Sequence, residues 1–198
     1  MTTPPFPETP ADHCRNEILE TIVLGGGCFW CVEAVFRQLE GVVDVASGYA
    51  GGTADTANYR SVCNGNTDHA EVVRISFDPE RIPRERVLEV FFLVAHDPTQ
   101  QDRQGADIGR QYRSIVFCHD AAQQEAVERF IEELNDRDVY SRPIVTQVEL
   151  LEVFYPAEEY HQDYAVANPD QPYIACNVPP KLEKLRTKYG ELARPVSS

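Results

Sequence analysis

"ETIVLGGGCFWCVEAVF", residues 20–36, decides how the rest of the chain is read. Its first half, "ETIVLGG", reads as a strand that ends in glycines. Its second half reads as a helix, because Val32, Val35, Phe36 and Leu39 recur at helical spacing. Cys28 therefore sits where a strand turns into a helix. A second thiol, Cys31, follows three residues later, and Phe29 and Trp30, the only tryptophan of the chain, stand between them. The pair is open to three readings: half of a zinc site, a redox couple, or plain core.

Working outward, "VVDVASGYAGG" reads as a second strand running into a turn, and "AEVVRISFDP" as a third. "PRERVLEVFFLVAHDP" reads as a helix, with Pro83 near its start and Pro98 just beyond it. "YRSIVFC" is a strand. A helix capped by Asp120 follows, with Gln123 completing a capping-box-like pair and Ala126, Val127, Phe130, Ile131 and Leu134 on one face. "IVTQVELLEVFYP" is taken as one strand, "AEEYHQDYAVANP" as a short helix, and the tail through "PPKLEKLRTKYG" as polar, irregular and partly helical. The order β-α-β-β-α-β-α-β-α predicts an α+β fold. A mixed sheet with helices packed on it forms an α/β sandwich with a split βαβ, ferredoxin-like core and an irregular C-terminal tail.

The chain has 198 residues. That length fits one catalytic domain over 18–198, after a Pro/Thr-rich arm over 1–17 that is expected to be disordered. A formal net charge of −14 disfavours nucleic acid and anionic membrane as partners. No apolar run reaches transmembrane length, and the N-terminus lacks the features of a secretory signal. The expectation is a cytoplasmic monomer. In a reducing cytosol the six cysteines stay free unless they are catalytic or bind metal.

Zinc requires four ligands, and no second Cys or His pair exists at short spacing. A dinucleotide loop would need glycine at position 30, which is Trp30. No metal and no cofactor are therefore expected. The redox reading fits better. A helix N-terminus stabilises a thiolate, the glycines allow close approach, and a thiol one turn on can attack an oxidised Cys28. Aromatics beside the nucleophile suggest a small apolar pocket for a methyl or thioether group. Taken singly, Cys63 and Cys118 read as buried thiols, Glu71 as an edge-strand residue, and Tyr59 and Tyr112 as half-buried tyrosines. His69, His96 and His161 read as hydrogen-bonded structural residues.

Five segments in order resemble the A-type peptide methionine sulfoxide reductases: "GGGCFW", "VASGYAGG", "NYRSVCNGNTDHAEVV", "HDPTQQDRQGADIGRQYRS", and "AEEYHQDY" with "PPKLEKL". The resemblance covers about residues 20–190. It implies reduction of the S epimer of methionine sulfoxide, free or in proteins, with thioredoxin as electron donor, in the repair of oxidised proteins. By position it makes Cys28 the nucleophile, Phe29 and Trp30 the wall for the substrate methyl, and Glu71 the acid. Tyr59 and Tyr112 would hydrogen-bond the sulfoxide oxygen, and Asp107 would bind the substrate backbone.

Two departures from the family pattern concern recycling. The common motif is GCFWG, whereas the fifth residue here is Cys31. The common C-terminal resolving cysteine follows a Pro-Tyr pair, whereas Cys176 comes two residues later than that. The simplest reading moves the resolving thiol to Cys31, with Cys176 a candidate second relay. Asp68 stands where glycine is usual and would raise the pKa of Glu71 if it lay near it. The rival readings are a general thiol–disulfide oxidoreductase and a non-enzymatic module that binds oxidised methionine.

Overall fold

The computed structural model describes residues 19–195, so the N-terminal arm expected to be disordered lies outside the described residues. The strands are β1 (Glu20–Gly26), β2 (Val42–Ala50), β3 (Ala70–Phe77), β4 (Arg103–Gln104), β5 (Asp107–Ile108), β6 (Ser114–Cys118), β7 (Gln147–Leu150) and β8 (Phe154–Pro156). The helices are α1 (Phe29–Phe36), α2 (Tyr59–Cys63), α3 (Arg84–Val90), α4 (Ala121–Asp136), α5 (Tyr164–Ala167) and α6 (Pro172–Tyr189). The α+β class and the mixed sheet expected from the sequence are both present.

Six strands form one sheet in the order β7-β6-β1-β3-β2-β8, and β4 pairs with β5 in a separate small hairpin. β3 lies between β1 and β2 and is antiparallel to both, so α1 crosses over it to join them. β6 is antiparallel to β1, and β7 is parallel to β6. The run Ile22-Val23-Leu24 is buried without alternation, as a central strand covered on both faces requires. One face carries the main core, where Val32, Val35, Phe36 and Leu39 meet Ile75 and Phe77. The other carries a smaller cluster of Val23, Ala50, Val72, Ile115 and Phe117, covered by Leu151 and Phe154.

The stretch read as one strand, residues 144–156, is in fact two, and they lie on opposite edges of the sheet. Leu151, Glu152 and Val153 alone connect them. A chain of that length spans about 14 Å at most, whereas the edges of a flat six-stranded sheet stand about 24 Å apart. The sheet must therefore curl until its edges face each other, and the smaller apolar cluster is what the curl encloses. Gly48 permits the last pairing. A Cβ there would lie 2.4 Å from the Phe154 ring, so only glycine lets β8 seat against β2.

Helix ends follow local rules. Asp120 Oδ1 accepts from the Gln123 N–H at 2.8 Å, and Gln123 Oε1 accepts from the His119 N–H at 2.8 Å, which gives the expected reciprocal cap. Helix α3 runs on into a π turn over Phe91–Ala95. The tail expected to be irregular is largely one helix of 18 residues, α6, even though Pro179 and Pro180 lie inside it. Two missing N–H groups are tolerated because Ile174, Val178, Leu185 and Tyr189 form a buried stripe and α6 packs on α1. Pro172 at its start and the Gln171 side chain, which accepts from the Ile174 N–H at 3.0 Å, fix where it begins. No helix among the described residues is long and apolar enough to cross a membrane.

Candidate active site

Cys28 is the N-cap residue of α1, and its carbonyl accepts the first helical N–H bonds. The turn that delivers it passes through Gly27 at φ +91°, where a Cβ would also strike the Gln104 side chain at 2.7 Å. Glycine is thus required for both backbone conformation and space. Directly after it, the Phe29 N–H donates to Glu71 Oε2 at 3.1 Å. This bond locks the start of α1 to the middle of the sheet. Glu71 is not an edge residue, as its sequence context suggested. β3 is central, and Glu71 is only 2% exposed.

Cys28, Phe29, Trp30, Glu71, Tyr59 and Tyr112 converge on one cavity of about 170 Å³, with Asp107 and Tyr173 on its wall. The site residues predicted for chemistry and substrate contact are therefore brought together from α1, α2, β3, the β4–β5 hairpin and the turn before β6. A larger hollow of about 420 Å³, lined by Arg37, Arg186 and Arg194, lies elsewhere and holds none of these side chains. Size does not identify the chemistry here.

Burial sets the electrostatics of the cavity. Burial pushes the Glu71 carboxyl up to about 8, and the charge of Asp107 adds to the rise, while the bond from Phe29 opposes it. Glu71 is therefore protonated at neutral pH. Burial also lifts the Tyr59 and Tyr112 phenols far above their usual range, so both remain proton donors. Asp68 takes no part in this. It is exposed and pairs with Arg110 at 3.3 Å.

The two thiols of the motif are both free and buried. Burial pushes Cys28 up, and the neighbouring Cys31 adds to the rise. The Cys28 thiol beside it, helped by the Lys181 charge, holds Cys31 down despite its burial. Cys31 lies 4.0 Å from the Tyr173 hydroxyl, which donates to Asp107 Oδ2. Cys176 is exposed, on α6 one turn beyond Tyr173. Cys118 is buried as expected. Cys63, also expected inside, is exposed, because Val62 takes the inward position at the end of α2.

The sequence reading passed over several side chains that build the walls. Tyr164 stacks on Trp30 with centroids 4.0 Å apart and planes at 12°. Glu158 accepts from the Tyr59 backbone N–H at 2.9 Å and from the Tyr49 hydroxyl at 2.8 Å, and so ties α2 to the sheet. Tyr173 and His161 complete the set. The aromatic density of "YHQDY" was the available signal. His69 and His96 are structural, as expected: their Nε2 atoms lie 2.9 Å from the Thr53 carbonyl and 2.7 Å from Ser114 Oγ respectively. Among the described residues, no group of three or more His, Cys, Asp or Glu is placed to hold a metal ion.

Comparison with known proteins points one way. The family model described as peptide methionine sulfoxide reductase matches residues 20–193. A peptide methionine sulfoxide reductase MsrA of Trichodesmium erythraeum is 53% identical over 174 residues, which is 88% of this chain and 98% of that protein. The crystal structure of Mxr1 from Saccharomyces cerevisiae in reduced form superposes with a TM-score of 0.71 at 36% identity, covering 77% of this chain and 87% of that one. Mxr1 in complex with Trx2 superposes at 0.51 with 27% identity, covering 74% and 85%. The chain belongs to the peptide methionine sulfoxide reductase family.

Proposed function

We propose that this enzyme reduces the S epimer of methionine sulfoxide, free or in proteins, through a sulfenic acid on Cys28 that Cys31 resolves. The observation that carries the reading is a buried Glu71, its carboxyl pushed up to about 8, sharing a small cavity with Cys28 and two phenols. A sulfoxide sulfur is a poor electrophile until its oxygen is protonated. Glu71 gives the oxygen its proton, and Tyr59 and Tyr112 donate hydrogen bonds to it without adding charge. Glu71, its own proton given to the oxygen, takes the Cys28 proton as that sulfur attacks the substrate sulfur. The protonated oxygen then moves from the substrate sulfur to Cys28 as S–OH, the bonds of the substrate sulfur to oxygen and to Cys28 both break, and the thioether leaves. Phe29 and Trp30 hold the substrate methyl, and Asp107 binds the substrate backbone.

In the second half, Glu71 gives its proton to the departing hydroxyl of Cys28 and takes the proton of Cys31. The Cys31 sulfur attacks Cys28, a disulfide forms, and water leaves. An external dithiol then reduces the disulfide by exchange. The superposition on Mxr1 in complex with Trx2 supports a donor of the thioredoxin type. Cys176, exposed on α6, is suited to relay the disulfide outward.

The pairing is open to a direct test. Arg15 and Arg37 bracket both thiols with no lysine or arginine between them, so a Cys28–Cys31 bond stays inside one tryptic peptide. Its mass falls by two hydrogens. A Cys28–Cys176 bond would instead join that peptide to the one ending at Lys181. After one equivalent of sulfoxide and blocking of free thiols, the intrapeptide form is expected to dominate. A dominant cross-linked pair would remove Cys31 from the resolving role. Turnover of insulin disulfides with no turnover of a sulfoxide peptide would favour the general oxidoreductase instead.

A further inference from the structure

His161 is only 1% exposed and does not line the cavity. It stands behind the wall, and its ring packs against three residues that do line it. Centroid separations are 4.3 Å to Tyr59, 5.3 Å to Phe29 and 5.6 Å to Trp30. Its one side-chain hydrogen bond is specific. The Trp30 indole N–H donates to His161 Nδ1 at 3.1 Å. An indole nitrogen can only donate, so Nδ1 carries no proton and the ring, when neutral, carries it on Nε2. Burial favours that neutral form and outweighs the attraction of Glu158. Nε2 is itself buried without a partner among the described residues. A site that leaves one ring nitrogen unpaired while satisfying the other is organised around the Trp30 bond.

From this we infer that His161 is a positioning residue for the substrate wall: its Nδ1 fixes the Trp30 indole in the orientation that closes the methyl pocket. The inference rests on the reading of that cavity as the sulfoxide site. Tyr164 stacked on one face of the indole prevents tilting, but a stack does not stop the ring from sliding in its own plane. The bond at the indole edge supplies that restraint. Without it, the buried N–H has to find another acceptor. The water or sulfoxide oxygen in the cavity is the nearest chemistry available, and the ring would move toward it into the space the methyl needs.

Trp30 is the only tryptophan, so its emission reports the contact directly and without any activity measurement. His161→Phe keeps a ring and removes the acceptor. His161→Asn places a carbonyl oxygen close to where Nδ1 stood. The phenylalanine variant is expected to shift the emission maximum and to raise KM for a methionine S-sulfoxide peptide roughly tenfold, with kcat within about twofold of wild type. The asparagine variant is expected to restore both. In a Trp30→Phe background, His161→Phe is expected to add less than about twofold to KM, because the bond is already absent.

Unchanged emission and KM in His161→Phe would overturn the inference. So would an asparagine variant as impaired as the phenylalanine one, or effects that multiply in the double variant. If His161→Phe does not fold, the asparagine variant and its emission decide alone. A wild-type enzyme inactive on sulfoxide peptides would instead defeat the proposed function, while leaving the emission result to judge the Trp30–His161 contact.

Discussion

Cys28→Ser is expected to reduce release of methionine from an S-sulfoxide peptide by at least on the order of 10³-fold, even with excess dithiothreitol present. The reason lies in the reaction itself. The nucleophile must accept oxygen from the substrate, and only sulfur in this position can become S–OH and be reduced again. The described thiols outside the motif do not substitute for it. Cys63 and Cys176 are exposed, Cys118 is buried away from the cavity, and none of them lines the wall with Glu71. Serine is close in volume to cysteine, so the fold should survive, which the melting temperature would check. Cys31→Ser is the partner experiment. It should still release about one methionine per enzyme, because it lacks only the resolving thiol. Substantial turnover by Cys28→Ser would sink the mechanism as a whole.

Glu71→Gln is expected to slow methionine release in a single turnover by about 10²–10⁴-fold, the range usual for a lost general acid. The amide keeps the shape, and its oxygen can still accept from the Phe29 N–H. What it lacks is a proton to give. The pH dependence follows with a definite sign. The carboxyl titrates at about 8, so the acid form is present below that pH and lost above it. The Glu71-dependent part of the wild-type rate should fall as pH rises through about 8, and Glu71→Gln should show no such fall. A wild-type rate flat from pH 7 to 10, or a glutamine variant near wild type, would show that the proton comes from elsewhere. Stability runs the same way. The native state holds this proton where the unfolded chain does not. The contribution is therefore whole below the unfolded value near 4.5 and is lost as pH rises toward 8.

The site was legible in the sequence to the extent that chemistry is carried by residue type and order. Glycines, thiols and aromatics at residues 25–31 show the strand-to-helix turn, because local backbone freedom and a short helical period are properties of neighbouring residues. The burial of Glu71 followed from the acid role that the resemblance gives it and not from its neighbours, which read as an edge. It depends on β3 being central, and strand order is decided by contacts between residues far apart in sequence. The two edge strands were merged for a related reason: "LLEVF" has no glycine or proline to mark the break that curling of the sheet imposes. Pro179 and Pro180 weigh in the opposite direction. A local penalty made the tail look irregular, and the buried stripe on α6 overrode it. Cys63 fell to the same limitation, since a five-residue helix has too little periodicity to say which of Val62 and Cys63 faces inward.

The curled sheet has a further consequence for how the molecule opens. β7 and β8 share no hydrogen bonds, yet three residues tether them across the gap. Peeling β8 from β2 slackens the clasp that holds β7 against β6, and the reverse is equally true. The two outermost strands, normally the independent fraying points of a sheet, are thereby joined into one cooperative unit. Their amide protons should exchange with solvent at a common rate under native conditions, despite lying at opposite ends of the strand order. A protein that keeps both thiols of its motif buried gains from this arrangement, because neither margin of the sheet that carries Glu71 can loosen alone.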